Sequence, residues 1–522
     1  MTALAKLSLL EQSYDQAREE FEHIVDYLNA EETSAMTHSE LERELEKKGR
    51  ELMRKLLQEH LDNRSPGPCD DPPVEGADGV VRSRVRLQQR ELETVFGTVS
   101  IERAGYGQQG VKSLHPLDAE LNLPDERYSL EMRRRVAEEA AKSSFDETLE
   151  SIGKNTGGHV PKRQVEELVM RAAQDFDAFY QTRQALPGKG QSAGSVLAIS
   201  VDGKGVTMRA EDLREQTRKA AAARAHKMGT RLSKGEKKNA KRMATVAAVY
   251  TIVPFVRTPE ALIGDSSSPR SGPPRPRPEQ KRVWASLEKE PEQVIEEALA
   301  EARHRDPEYE KTWVALVDGN KSQILILKRL AKKNGLDLTI IVDLIHVIEY
   351  LWDAARVFHP APGPELENWV RHRLFETLRG KAGLMAGGMR RSATLRGLSV
   401  KAREPVDACA RYLSNHSPYL RYDRYLAKGL PVATGVIEGA CRHLVKDRMA
   451  VTGARWSLNG AEAVLRLRAL RSSRDFDEYW TFHEAREYER NHQDLYAGGT
   501  VPPTSASPST VKRDHLKVIK QE

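Results

Sequence analysis

"SVLAISVDGKG", Ser195 to Gly205, is an apolar run of strand length that stops at an acid, Asp202, with a glycine directly after it. Two further stretches repeat the plan. "WVALVDGN", Trp313 to Asn320, stops at Asp318 before Gly319, and "LDLTIIVDLIHVIEYLWDAARVF", Leu336 to Phe358, stops at Asp343 and runs straight into a helical pattern. Short apolar runs rich in branched residues, with the helical "KSQILILKRLAKKNG" between two of them, predict an α/β sheet whose carboxylates sit at strand ends, where such sheets keep their sites. "MATVAAVYTIVPF", Met243 to Phe255, supplies one or two more strands.

The chain has 522 residues, too many for one ordinary core, and 30% of them are charged against 6% aromatic. That balance predicts several folded units, mainly helical, with long charged surfaces. The net charge of +6 is unevenly spread, because residues 211–242 alone hold eleven Lys and Arg against four acids. A local excess of that kind suits a polyanion. A solvated charged loop is the plainer reading of the same segment. Cys69, Cys409 and Cys441 lie far apart with no CxxC, which argues for a reducing compartment and against a disulfide frame or zinc finger. No stretch approaches the length of a membrane span, and the N-terminus lacks a cleavage-like site, so a cytoplasmic protein is expected.

Residues 1–62 read as helices, with Leu41, Leu45, Leu52 and Leu56 on one face. Residues 63–127 read as a linker followed by a small β-unit that turns at Gly97. Residues 128–190 form a helix-turn-helix outline in which "SFDE", Ser144 to Glu147, is a capping box and Lys162 and Arg163 tip the second helix. The sheet region covers 191–362, including the basic segment and a Pro/Ser/Arg run over 264–282 that reads as a mobile loop. A helical insertion over 363–430, closing helices over 431–495 and a disordered tail over 496–522 complete the chain.

The closing region contains "GVIEGACRHLVKDRM", Gly435 to Met449, with a single acid, Glu438, ahead of a basic track. As an α-helix it places Arg442 and Lys446 on the face of Glu438, beside an apolar face of Ile437, Ala440, Cys441 and Leu444. Simple i,i+4 pairing on a solvated helix would explain that pattern. The strand-end acids offer another explanation. Asp and Glu oxygens suit Mg²⁺ or Mn²⁺, and two such ions clamp the attacking and leaving oxygens of phosphoryl transfer. Glu438 would then bind metal while Arg442, His443, Lys446 and Arg448 meet a phosphodiester backbone. No Walker-type or G-x-G-x-x-G glycine motif occurs, so no nucleotide cofactor is expected.

Residues 113–180, "SVDGKGVTMR", "WVALVDGNKSQ" and "GVIEGACRHLVKDRM" with the following "TGARWSLNGAEAVLRLRAL" together resemble the bacterial insertion-sequence transposases of the ISKra type, over roughly residues 85 to 490 and in the family's order. The resemblance implies an RNase H-like catalytic core with a DDE triad that cleaves and joins DNA at the terminal repeats of a mobile element. It places the triad on Asp202, Asp318 and Glu438. Asp343 and His346 match the family's C/D-x-x-H signature, a second layer or a contact to the DNA end, and Arg455 and Trp456 match its pattern after the Glu. Position alone leaves Asp318 and Asp343 both open as the second acid; the resemblance favours Asp318. Relatives carry CxxC pairs around the β-unit where this chain reads "YGQQG", so no zinc is expected. Arg231, Lys234, Lys237, Lys238, Lys241 and Arg242 would grip double-stranded DNA without reading its sequence. Homo-oligomers on transposon ends and target DNA are the expected assembly. A catalytically silent, transposase-derived DNA-binding protein is the alternative.

Overall fold

The computed structural model describes residues 14–65, 72–186, 194–223, 240–263, 274–433, 435–451 and 453–504. The chain divides into two compact units, Met1–Phe179 with Asp475–Glu522, and Tyr180–Arg474. The described residues are mainly helical, with one five-stranded mixed sheet. Among them no helix is long and apolar enough to cross a membrane.

The first unit opens with α1 (Asp15–Asn29) and α2 (His38–Asp62), the latter started by a capping box in which Thr37 and Glu40 satisfy each other's backbone N–H. Strands β1 (Arg84–Thr94) and β2 (Gly97–Gly107) form an antiparallel hairpin closed by Val95 and Phe96. Leu61 of α2 packs with Leu92, Val99, Ile101, Leu117 and Leu123 into one core. Helices α3 (Leu130–Lys142), α4 (Phe145–Asn155) and α5 (Lys162–Ala172) follow. Ser144 and Glu147 cap α4 reciprocally, and Lys162 begins α5 directly after Pro161. Two expectations need correction here. The linker is folded in its second half, where Val74–Glu75 pairs with Val81–Arg82 and Val74 is buried beside Tyr106. The tail is packed over its first residues, because Tyr496 joins that same core and Thr504 bonds Glu120. The helix Phe476–Asn491 also belongs to this unit rather than to the sheet.

The second unit is built on β3 (Val196–Thr207), β4 (Lys241–Ile252), β5 (Glu279–Ser286), β6 (Thr312–Val317) and β7 (Leu338–Val342), with α6 (Pro291–Arg305) before β6 and α7 (Lys321–Lys333) after it. Their spatial order is β5-β4-β3-β6-β7, and only β4 runs against the rest. Residues 196–201 of β3 are all buried, the mark of a central strand covered on both faces. Beyond β7 come α8 (Leu344–Phe358), α9 (Pro364–Leu378), α10 (Ala382–Leu395), α11 (Val400–His416), the short helices Tyr422–Ala427 and α12 (Gly435–Ala440), and α13 (Leu458–Ser473), which packs on β5.

Strand β5 and helix α6 were not anticipated, and β5 corrects the mobile-loop reading of 264–282. Residues 264–273 lie outside the described residues, but Glu279 to Arg282 already pair in the sheet. The partners of buried Arg282 are the reason the strand tolerates a cation in its core. Its guanidinium lies over the rings of Tyr180, at 3.4 Å, and Trp284, at 4.5 Å, and pairs with buried Glu301. The other oxygen of Glu301 takes Arg305 at 2.7 Å. Burial alone would raise the Glu301 carboxyl, but Arg282 and Arg305 outweigh it and hold the group well below the usual range. Its stabilising contribution is therefore present above the ordinary carboxylate range and lost on acidification. Glu301→Gln should cost about 3–5 kcal/mol, since it strands two cations in the interior. Denaturant unfolding measures this, and a loss under about 1 kcal/mol, the value of a surface pair, would show that the site is better solvated than its burial indicates.

Candidate active site

Strand register brings three acids into one row. Val201 of β3 pairs with Val317 of β6, and Val317 with Val342 of β7, so the next residues, Asp202, Asp318 and Asp343, stand side by side at the carboxyl ends. The chain builds β4 and β5 on one side of β3 and then crosses to build β6 on the other. Asp202 and Asp318 thus flank the switch point where α/β sheets open a crevice, and Asp343 is one strand further out.

Each acid is held locally. Asp202 is half-buried and accepts the Gly203 N–H on Oδ1, at 2.6 Å, and the Cys441 thiol on Oδ2, at 3.1 Å. Burial and the adjoining Asp202 push the Cys441 thiol far up, which keeps it a proton donor. Asp318 folds back to accept the Asn320 N–H at 2.8 Å. Asp343 is 1% exposed and caps α8 through the Ile345 N–H at 2.9 Å. His346, one turn into α8, is half-buried, with Nδ1 3.6 Å from Glu349. Burial raises the Asp318 carboxyl, and the Asp202 charge adds to it. Glu438 points to the surface, yet partial desolvation raises it too, followed by repulsion from Asp343, Glu349 and Asp202 and opposed by His346. The acids therefore share one negative field. Their ligand atoms do not form a closed set: among the described residues, the group whose ligand atoms all lie within 4.8 Å of one another is Asp175, His483 and Glu487 of the first unit.

That group was not singled out from sequence, and its partners argue against a metal. Asp175 accepts from His483 Nδ1 at 2.7 Å and from Arg490 at 2.7 Å, while Glu487 accepts from Arg133 at 2.7 Å. Arg133 also donates to His483 Nε2 at 2.9 Å. Arginine only donates, so the imidazole is neutral with its proton on Nδ1. Two guanidinium groups already neutralise the cluster, and a dication would meet both.

The segment after Glu438 departs from a plain α-helix. α12 passes into a π-helical turn over Cys441–Lys446 and then Asp447–Met449. A single α-helical face from Glu438 through Arg442 to Lys446 therefore does not form, because the wider turn rotates the later residues. Arg468 stabilises the turn by donating to the carbonyls of His443 and Leu444. Arg442, His443 and Lys446 are exposed, the first two beside Asp447 at 3.8 and 3.1 Å. Arg448 and Trp456, expected at a DNA surface, are instead buried against each other, and the Trp456 indole donates to Met449. They brace the end of β3, where Trp456 exchanges backbone bonds with Thr207 and Arg209. Arg455 is exposed.

The other expected DNA contacts are dispersed. Lys162 and Arg163 are exposed in the first unit, where they pair with Asp146 at 2.6 Å and Glu167 at 3.3 Å. Lys241 is exposed at the start of β4, whereas Arg242 is half-buried and spends its guanidinium on the carbonyls of Leu287 and Asp212. Arg231, Lys234, Lys237, Lys238 and Cys69 lie outside the described residues.

The raised Asp318 carboxyl has a consequence for stability. The fold favours its protonated form, so this contribution is complete at acid pH and is lost as pH rises through the raised value. Asp318→Asn keeps an acceptor for the Asn320 N–H and removes the charge. Without divalent metal, the variant should unfold at a higher temperature than the native chain between about pH 7 and 8, and the two should converge below about pH 4. A variant less stable at neutral pH would mean that Asp318 is favourably charged in the fold.

Neither a protein-family model nor a curated protein matches the chain.

Proposed function

We propose that the chain is a DDE transposase, cleaving DNA at the ends of a mobile element and joining the freed 3′-hydroxyls to target DNA. The observation that carries this reading is the adjacency of Asp202 and Asp318 at the switch point of the sheet, with Glu438 in the same negative field. The β5-β4-β3-β6-β7 order with only β4 reversed is compatible with the RNase H-like core this reading expects and supports it. The donor set fits Mg²⁺ or Mn²⁺: hard carboxylate oxygens whose mutual repulsion a dication relieves. Asp202, Asp318 and Glu438 would hold the metal, as two ions, which when bound supplies Lewis acidity for in-line displacement at phosphorus. The chain's own groups do the rest. The Cys441 thiol and Gly203 N–H orient Asp202, the Asn320 N–H orients Asp318, and exposed Arg442 and Lys446 meet the phosphodiester backbone.

A second reading, a DNA-binding protein without catalysis, draws on one observation: the three acids do not bring their ligand atoms within 4.8 Å of one another. Cleavage of element-end DNA decides between the two. The transposase reading expects Mg²⁺-dependent nicking that falls below a few per cent of native in Asp202→Asn, Asp318→Asn and Glu438→Gln, with DNA binding kept. Binding without nicking by the native chain would leave the silent reading standing.

Lys162 and Arg163 give an independent test of the helix-turn-helix region. Replacing both with Gln should weaken binding to element ends more than to random duplex, whereas Arg442→Gln with Lys446→Gln should weaken both DNAs and flatten the salt dependence by roughly 0.9 per lost phosphate contact. Equal effects of the two pairs on both DNAs would remove the first pair from sequence-specific recognition.

A further inference from the structure

The helical insertion reaches into the sheet's acid-bearing end through hydroxyl and imidazole groups that nothing above uses. On α11, the Tyr412 hydroxyl donates to the backbone carbonyl of Asp318 at 2.8 Å, and His416 Nε2 lies 2.8 Å from the carbonyl of Gly319. His416 Nδ1 is 2.8 Å from the Tyr412 carbonyl. Both ring partners are acceptors, so both nitrogens must donate for the two bonds to form together. The Tyr412 ring is itself fixed, stacked on Tyr350 with centroids 4.2 Å apart and against His416 at 4.4 Å. Burial and then the Asp318 charge push the Tyr412 hydroxyl far above its usual range, so it stays protonated and donating.

The loop is shaped to receive these groups. Gly319 has φ +92°, and a Cβ there would stand 2.9 Å from the Tyr412 oxygen and 3.2 Å from His416 Cε1. Two successive carbonyls are thus turned to α11, in the same loop where Asp318 Oδ1 accepts the Asn320 N–H at 2.8 Å. A contact of the same chemistry is made one strand further out, beside Asp343 and not at Asp202 or Asp318. Tyr422, fully buried, donates to the Val342 carbonyl at 2.6 Å, on the outer edge of edge strand β7.

We infer that Tyr412 and His416 are positioning residues for Asp318, so that the insertion, and not the sheet alone, sets the geometry of the metal-holding acid. The inference rests on the transposase reading in taking Asp318 as a metal ligand. Groups that orient a ligand from behind typically govern metal affinity, and the hydroxyl lost in Tyr412→Phe leaves the stacked ring in place.

The test is Mn²⁺ binding to the full chain, followed by the electron paramagnetic resonance signal of free Mn²⁺, with thermal unfolding measured alongside. Tyr412→Phe should weaken Mn²⁺ binding about tenfold, and His416→Gln by a similar factor. Tyr422→Phe, which also removes one buried hydroxyl bond to a strand-end carbonyl, should lower the unfolding temperature without moving Mn²⁺ affinity. With Fe²⁺ in place of Mn²⁺, hydroxyl-radical scission near residues 202 and 318 should fade together in Tyr412→Phe and persist in Tyr422→Phe. Equal loss of Mn²⁺ affinity in Tyr412→Phe and Tyr422→Phe would reduce the effect to general loosening and overturn the inference, as would no loss in either. A native chain that binds no Mn²⁺ would overturn the metal-dependent reading itself, and the inference with it.

Discussion

The alignment of β3 with β6 is the constraint on which the candidate site depends. Val201 opposite Val317 puts Asp202 and Asp318 at one level, and a slip of one residue would turn every side chain of the strand to the other face. Residues 196–201 and 313–317 are buried throughout, so this pairing keeps both apolar runs out of water. β4, antiparallel to β3 along its whole length from Val196 to Thr207, carries the strand beyond the sheet's parallel half and reaches the Trp456 bridge. The packing that protects the apolar runs thus also fixes the spacing of the acids.

Holding like charges together in this way works against stability. Asp318 and Glu438 are both raised by desolvation and by neighbouring carboxylates, and the adjacent His346 opposes the effect at both. The contrast with Glu301 is instructive. That acid is more deeply buried, but two guanidinium groups hold it ionised. The same is true of Asp175 and Glu487, which lie among Arg133 and Arg490. Glu301, Asp175 and Glu487 are thus paired with guanidinium groups, whereas Asp318 and Glu438 stand beside other carboxylates. Such a departure from charge pairing is what a binding or catalytic site leaves in a fold.

The turn after Glu438 shows how local backbone and distant side chains share one task. A π-turn interrupts the ordinary ladder and frees carbonyls, which Arg468 of α13 takes up. The same turn brings Cys441 to Asp202, so the helix that carries the surface acid is tied to β3 through a thiol. Arg448 and Trp456, which read as surface groups, form the buried brace behind it. Tyr412, His416 and Tyr422 complete the pattern from the insertion, each meeting a backbone carbonyl at a strand end rather than a side chain.

Much of the strand plan was legible in the sequence. The apolar runs ending at Asp202, Asp318 and Asp343 are continuous because strands buried on both faces need no alternation, and the Ser144–Glu147 cap is a contact between residues three apart. β5 was hidden because Glu279 to Arg282 are polar, and only the distant Tyr180 and Glu301 make a buried arginine tolerable there. The Asp175–His483 network and the Tyr412–Asp318 bond join residues remote in the chain, and the π-turn draws on Arg468, 24 positions beyond Leu444. The sequence by itself determined where strands stop and which of them carry an acid, since those are properties of local apolar runs. Only the tertiary structure decided which acids stand side by side and which cations are spent on carbonyls or buried, because those outcomes depend on strand order and on packing partners that local apolar runs do not identify.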